Sequence, residues 1–261
     1  MIKSWCIATI TPLFIQRMEA VLALYRQEYD PERPLVCFDE ASYQLLEDTR
    51  PPTPVQKGHP AKQDYEYKRH GTRNLFVFVE PKAGKRAILV THRRTKADFA
   101  YAMRYLVDAL YPHVACIDVV MDNLNTHRPD VLIEIFGKAE ATRLLNRLCF
   151  HYTPPHGSWL NMAEIEIGIM RYQCLRRRIA DEWTLRAELM SWEMRSNAAC
   201  RKIHWSFFFW LMPAIGASVC NFDGSRAVPG DIYDGDGLLG QNAIYLYACF
   251  QVFESGHEQL F

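Results

Sequence analysis

Strand-like and helix-like segments alternate along the chain in an order that few folds accommodate. Three apolar segments with β character come first, at residues 35–39, 75–79 and 86–91. Helical periodicities then alternate with two more short apolar runs, at residues 117–121 and 150–152. The order β-β-β-α-β-α-β-α predicts an α/β fold in which a mixed sheet has helices on both faces.

Local signals mark where these elements begin and end. A Pro- and Gly-containing stretch at residues 81–85 predicts a hairpin between the second and third strands. Thr95 and Asp98 have the spacing of a capping box, and Pro112 ends the helix that follows. Further helices are predicted at residues 14–29, from Pro129 to Gly137, at residues 139–148, from Asn161 and from Asp181.

Two carboxylates follow predicted strands at equivalent positions. Asp39 and Asp122 each end an apolar strand, where the chain leaves the sheet. Ligands of open α/β sheets bind at the carboxyl ends of the strands. If the two strands are neighbours, the carboxylates converge and repel each other unless a cation lies between them. Mg²⁺ suits such a site because it fills its remaining positions with water and phosphate oxygens.

A third carboxylate from a helix would complete a two-metal site for phosphoryl transfer. Glu164, in the first turn of the helix after Asn161, is the candidate, and Glu166 is the neighbour weighed against it. Each acid also has a structural alternative. Strand-end acids are common turn and cap residues, and Asn161 with Glu164 fits a capping box.

The segments around these acids resemble the three catalytic blocks of DDE transposases, most closely the bacterial insertion-sequence enzymes of the mariner superfamily. The blocks are residues 38–42 (FDEAS), 121–127 (MDNLNTH) and 152–166 (YTPPHGSWLNMAEIE). The resemblance covers residues 31–205 and implies an RNase H-like catalytic domain. It also implies that Asp39, Asp122 and Glu164 form the metal-binding catalytic triad.

The same resemblance implies a reaction and its partners. Two Mg²⁺ ions, which Mn²⁺ can replace, would support DNA cleavage at the ends of a transposable element. The freed 3′-hydroxyl would then be joined to target DNA. The implied partners are transposon-end and target DNA, with a homodimer in the active complex and no membrane. The implied location is the bacterial cytoplasm, at the nucleoid when the protein is bound to DNA.

DNA binding requires a basic surface. Of 30 bases and 30 acids, one base and six acids follow residue 205, so residues 1–205 hold 29 bases against 24 acids, a net charge of +5. Alternatives are open for two of the candidates: the arginines at 176–178 fit solvated helix-end charges, and His127 fits a helix cap. The candidate DNA contacts are Lys57, Lys68, Arg69, Arg93, Arg94, Asn125, His127 and Arg177.

Cysteine and tryptophan spacing predicts core positions. The eight cysteines show no C-x-x-C spacing. They are predicted to be buried free thiols in a reducing compartment, rather than disulfides or a zinc site. Trp183, Trp192 and Trp205 have helical spacing and are also predicted to be core residues.

Both ends depart from the family pattern. Complete relatives carry a helix-turn-helix region before the catalytic domain, whereas residues 1–30 are here expected to be a helical remnant or linker of a truncated chain. Residues 206–261 are expected to be an atypical apolar and acidic tail, frame-shifted or poorly ordered. The 18 uncharged residues 205–222 reach the lower limit for a membrane span, but Pro213 and the lack of flanking bases argue against one.

Three alternatives to an active transposase follow. One is a catalytically idle remnant that binds DNA or joins a full-length transposase. A second is a protein tethered to a membrane through residues 205–222. A third is RNase H or another nuclease of the same fold, which the block at residues 157–161 disfavours. The complete triad favours the enzyme.

Overall fold

The computed structural model describes residues 11–124, 127–210, 245–254 and 257–260. The chain divides into two compact units, Met1–Cys200 and Arg201–Phe261.

A five-stranded mixed sheet forms the centre of the first unit. Its strands are β1 (Leu35–Asp48), β2 (Tyr67–Glu80), β3 (Lys85–Thr91), β4 (Ile117–Met121) and β5 (Leu148–Tyr152). They lie in the order β3-β2-β1-β4-β5. β2 is antiparallel to both of its neighbours, whereas β1, β4 and β5 are parallel to one another. This order, with β2 reversed, is the RNase H-like arrangement, so the predicted fold class is confirmed.

The helices begin and end close to where the sequence signals place them. The capping box at Thr95 and Asp98 is present, and Gly137, with φ 77°, interrupts the helix that begins at Pro129. The helices are α1 (Pro12–Arg26), α2 (Lys96–Tyr105), which continues as a π-helix (Leu106–Leu110), α3 (Pro129–Leu145), α4 (Met162–Gln173) and α5 (Glu182–Ala198).

Helices cover both faces of the sheet because strand side chains alternate between the faces. On one face Phe38 packs with its ring centroid 5.1 Å from that of Phe78 and 5.9 Å from that of Phe99 of α2. The same core cluster includes Leu132 and Leu144 of α3. On the opposite face α4 packs on β1 and β2, α5 on β3, and α1 on β5.

β1 and β2 are longer than predicted. Their outer parts, residues 42–48 and 67–73, form a two-stranded ribbon, here called the arm, beyond the residues that pair with β3 and β4. Residues 67–72 are exposed, so backbone pairing rather than apolar burial holds them in the strand. An apolar pattern reports only the buried part of a strand, and Asp39 therefore lies inside β1 instead of at its end.

The second unit contains a three-stranded antiparallel sheet. Its strands are β6 (Lys202–Trp210), β7 (Tyr245–Glu254) and β8 (His257–Leu260), in the order β6-β7-β8. Residues 211–244, which hold most of the expected tail and of the uncharged segment, lie outside the described residues. No helix within the described ranges has the length and apolar character that a membrane crossing requires.

Two predictions about the core need correction. Trp192 is buried, but Trp183 is 82% exposed. The buried stripe of α5 runs through Leu185, Leu189 and Trp192, and Trp183 is not on it. The cysteines also differ from the prediction. Cys37 and Cys174 are buried, but Cys116 and Cys149 are partly exposed and Cys200 is exposed. The side chain of Trp205 is not among those described.

Candidate active site

Asp39 and Asp122 occupy equivalent positions on neighbouring parallel strands. β1 and β4 pair at Leu35 with Asp118 and at Cys37 with Val120, a constant offset of 83 residues. The recorded pairing ends at Val120, and the same offset continued by two residues would bring Asp39 opposite Asp122, which directly follows β4. Adjacent strands lie about 5 Å apart, and residues opposite each other in a parallel pair point to the same face. The strands that carry these two acids are therefore neighbours, as the prediction of converging carboxylates required.

Glu164 and Glu166 have different surroundings on α4. The side chain of Glu166 is 1% exposed and accepts two hydrogen bonds from Arg86, at 2.6 and 3.0 Å. Glu164 lies in the first turn of α4 and is exposed. Because Glu166 is committed to a buried ion pair, Glu164 is the carboxylate that this helix can offer to a ligand.

Asn161 places α4 against β1. It is the N-cap of α4, and its side-chain oxygen accepts a hydrogen bond from the Ala163 N–H. Its side-chain amide donates to the carbonyl of Phe38, the residue before Asp39. The Asn161 side chain therefore bonds to Ala163 and Phe38, not to Glu164 as in the capping-box alternative. These bonds link the first and third blocks.

Burial and the charges of the other two carboxylates act on Asp39. Burial raises the pKa of Asp39 to about 7. A hydrogen bond from the Glu40 N–H opposes this shift, while the charges of Asp122 and Glu164 add to it. Mutual repulsion of this kind is what a bound cation relieves. Among the described residues, the oxygen atoms of all three carboxylates do not lie within 4.8 Å of one another.

His127 contacts Asp122 from the face of the sheet that α2 covers. Its Nδ1 lies 2.6 Å from Asp122 Oδ1 and its Nε2 lies 3.0 Å from Glu40 Oε1. The ring stacks on Phe99 with a centroid distance of 4.9 Å. Burial disfavours the charged imidazole, but the two carboxylates outweigh burial and raise the pKa of His127 to about 9.

This position corrects both interpretations of His127. The side chain is 0% exposed, so it cannot contact DNA directly. It does not cap α3 either, because Arg128 is the N-cap and provides no side-chain hydrogen bond. His127 instead holds Asp122 and Glu40 in fixed positions. Asn125, the other candidate in this block, lies outside the described residues.

The remaining basic candidates are exposed, and several lie at the same edge as the acids. Because β2 is antiparallel to both β1 and β3, β3 runs parallel to β1, and Arg93 and Arg94 leave its carboxyl end. Lys68 and Arg69 lie on the arm and Lys57 in the loop beyond it. Arg177 is 56% exposed and forms an ion pair with Glu188. Arg177 also lies beside the arm, because its backbone carbonyl accepts a 2.9 Å hydrogen bond from the hydroxyl of Tyr43.

Sequence reasoning missed Glu40 and the Arg86–Glu166 pair. Glu40 follows Asp39 in the first block, and strand alternation would have placed it on the opposite face. Its partner, however, is 87 residues away, and Arg86 is 80 residues from Glu166. No local spacing signals contacts at such distances.

The family model described as "DDE superfamily endonuclease" matches residues 34–186, more than half of the chain. The chain belongs to this family. The match covers all three predicted catalytic blocks, and it confirms the resemblance to DDE enzymes. No curated protein matches the sequence.

Solved structures of Mos1 complexes and of a viral intasome are similar to the chain at low identity. The Mos1 mariner paired-end complex with Mn has 16% identity and a TM-score of 0.48, over 75% of this chain and 59% of that chain. The Mos1 strand transfer complex has 15% identity and a TM-score of 0.48, over 77% and 62%. A simian T-cell lymphotropic virus intasome has 13% identity and a TM-score of 0.40, over 75% and 70%. The chain thus spans about three-fifths of the length of the Mos1 chains.

Proposed function

We propose that this DDE endonuclease-family domain is the catalytic domain of a DNA transposase, which cleaves DNA and joins the freed strand to a target. The observation that supports the proposal is that β1 and β4 are neighbouring parallel strands and that the charges of Asp122 and Glu164 both act on Asp39. Two strand carboxylates and one from α4, all within the residues that the family model matches, would form the ligand set of a divalent-metal phosphoryl-transfer site.

The donor set fits Mg²⁺ or Mn²⁺, because the three predicted ligands are all carboxylates and such hard ions prefer oxygen. Asp39, Asp122 and Glu164 would hold two ions. When bound, the ions neutralise the charge that develops on the phosphoryl oxygens and activate the attacking water or 3′-hydroxyl.

The protein's own groups act by positioning. His127 engages one oxygen of Asp122, so the second oxygen can still face an ion. Asn161 fixes the start of α4 against β1, and with it the distance from Glu164 to Asp39. Phosphoryl transfer needs accurate placement more than covalent help from the protein, and these contacts supply that placement.

Exposed bases would hold the DNA backbone beside this edge. Arg93 and Arg94 leave the sheet at the edge that carries the acids, and Lys68 and Arg69 extend along the arm. Neutralising phosphates releases counterions and gives affinity without sequence preference. We assign the element's ends and target DNA as substrates, with a homodimer as the active assembly.

Nicking of supercoiled plasmid tests the proposal without knowledge of the terminal repeats. The full chain with Mg²⁺ or Mn²⁺ should convert the plasmid to open circles, and Asp39→Asn, Asp122→Asn and Glu164→Gln should each abolish the reaction. Strand joining is measured with an oligonucleotide that carries a free 3′-hydroxyl. A wild-type chain that binds DNA but neither nicks nor joins it would instead indicate an idle remnant.

A further inference from the structure

A second cluster of ligating side chains lies at the end of the sheet opposite the carboxylates. Asp118 of β4 pairs with Cys149 of β5, and Val120 pairs with His151. Paired residues of parallel strands share a face, so Asp118, Cys149 and His151 are on one face. Cys116, two residues before Asp118, joins them there.

The cluster is tight. The sulfur atoms of Cys116 and Cys149 are 2.9 Å apart. These two sulfurs and a carboxylate oxygen of Asp118 all lie within 4.8 Å of one another. Both cysteines are free thiols and are only partly buried, so solvent ions can reach them.

Arg33 and His151 hold the carboxylate of Asp118 in place. Arg33 donates to both of its oxygens, at 2.6 and 3.0 Å, and His151 Nε2 lies 2.8 Å from Oδ1. A carboxylate has about four lone-pair sites, so three of them are engaged and one remains for a ligand. Outer partners of this type orient a ligating carboxylate and tune its affinity for a metal.

We propose that Cys116, Cys149 and Asp118 bind a Zn²⁺ ion, with Arg33 and His151 orienting Asp118. Two thiolates and a carboxylate are a zinc ligand set, and soft sulfur ligands disfavour Mg²⁺ and Ca²⁺. The thiols lose their protons to solvent when the ion binds, which leaves one surplus negative charge. The Arg33 guanidinium balances that charge.

The required movement is small. A tetrahedral ion with Zn–S bonds of 2.3 Å holds its sulfurs about 3.8 Å apart, so the two thiols need to separate by roughly 1 Å. Three protein ligands leave the fourth position to water or an external ligand.

The zinc site is separate from the carboxylate edge. Asp118 and Asp122 are four residues apart, which is roughly 13 Å along an extended strand. The bound ion would clamp β5, at the edge of the sheet, to β4 at the end opposite the proposed catalytic site. The inference therefore does not depend on the proposed function.

Metal titration of the reduced full-length chain tests this inference. Zn²⁺ should bind at one equivalent, and Co²⁺ should produce thiolate-to-metal charge-transfer absorption with the visible bands of a tetrahedral site. Cys116→Ser and Cys149→Ser should each remove the cobalt spectrum and the stoichiometric Zn²⁺ binding. His151→Ala should weaken affinity by about 10- to 100-fold without abolishing binding, because it orients a ligand.

Cys200→Ser is the matched control, since this exposed thiol lies outside the cluster and its loss should leave the spectrum unchanged. Zn²⁺ should also raise the melting temperature of the wild type but not of Cys149→Ser. The proposal is overturned if the reduced chain takes up no stoichiometric Zn²⁺, if Cys116→Ser binds as the wild type does, or if the two thiols form only a disulfide that Zn²⁺ does not prevent.

Discussion

The side-chain amide of Asn161 donates a 2.7 Å hydrogen bond to the backbone carbonyl of Phe38, and both residues are fully buried. The bond joins two segments that are 123 residues apart in the chain. Phe38 directly precedes Asp39, and Asn161 is the N-cap of the helix that carries Glu164. It is the most direct physical link between the first and third blocks among the described residues.

Asn161→Asp isolates this link. Aspartate still caps the helix, but it places an oxygen against the Phe38 carbonyl where a donor was. We expect a loss of about 1–3 kcal/mol in the free energy of unfolding, measured by urea denaturation, together with slower DNA nicking. Asp181→Asn, at the N-cap of α5, is the reciprocal control and should change neither quantity appreciably. Equal stability of Asn161→Asp and the wild type would contradict the assigned role.

Substitutions of Glu164 and Glu166 should have different effects, one on activity and the other on stability. Glu166→Gln breaks an ion pair whose two side chains are each 1% exposed, and we expect it to cost about 3–5 kcal/mol of stability. Glu164→Gln changes an exposed side chain and should alter stability by less than about 0.5 kcal/mol while abolishing nicking. Denaturation curves and nicking rates of the two variants provide the comparison. The opposite pattern would show that the two roles have been exchanged.

His127→Phe tests whether His127 positions Asp122. Phenylalanine retains a ring between Phe38 and Phe99 but removes both hydrogen bonds to carboxylates. We expect the Mg²⁺ concentration required for half-maximal nicking to rise by about 10- to 100-fold. The control is Glu40→Gln, which weakens only the second bond and should have a smaller effect. An unchanged Mg²⁺ requirement in His127→Phe would leave His127 with a packing role alone.

Arg93 and Arg94 should contribute to DNA affinity through phosphate contacts. Replacing both with alanine should weaken binding to any duplex and reduce the slope of log K against log salt by about 0.9 for each lost contact. Arg143→Ala is the matched control. Arg143 of α3 is exposed, but it is paired with Asp108 and Glu140. Fluorescence anisotropy over a salt series measures both slopes. Identical slopes in the double variant and the wild type would remove these two residues from the DNA surface.

Trp192 and Trp183 should differ in their contribution to stability. Trp192 is 2% exposed, and truncation to alanine should cost about 3–5 kcal/mol. Trp183 is 82% exposed, so Trp183→Ala should alter stability by no more than about 0.5 kcal/mol. Thermal denaturation followed by circular dichroism distinguishes the two, and a large loss in Trp183→Ala would contradict its placement on the surface.

The sequence predicted the fold where local chemistry decides it. The capping box at Thr95 and the break at Gly137 depend on neighbouring residues, and both are present. The outer ends of β1 and β2 were missed because polar residues dominate the arm, and residues 67–72 are exposed and held by backbone pairing with β1. Trp183 was misplaced because it precedes Trp192 by about two and a half helical turns, which puts it on the side of α5 opposite the buried stripe.

The site was predictable only in part, for a related reason. Asp39 and Asp122 could be proposed as neighbours because both follow short apolar runs, and the strands that carry these runs, β1 and β4, are adjacent in the sheet. The partners that hold the site come from distant segments: Glu40 at His127, Phe38 at Asn161 and Arg86 at Glu166. The proximity of Cys116 and Cys149 likewise depends on the pairing of β4 with β5, which no cysteine spacing reveals.

Manganese binding tests most directly whether Asp39, Asp122 and Glu164 hold the catalytic ions, because it requires no DNA substrate. Free Mn²⁺ gives a strong electron paramagnetic resonance signal that diminishes when the ion binds to protein. We predict two bound ions per chain in the wild type, loss of that binding in Asp122→Asn, and retention in Cys149→Ser. Equal Mn²⁺ binding by the wild type and Asp122→Asn would contradict the account.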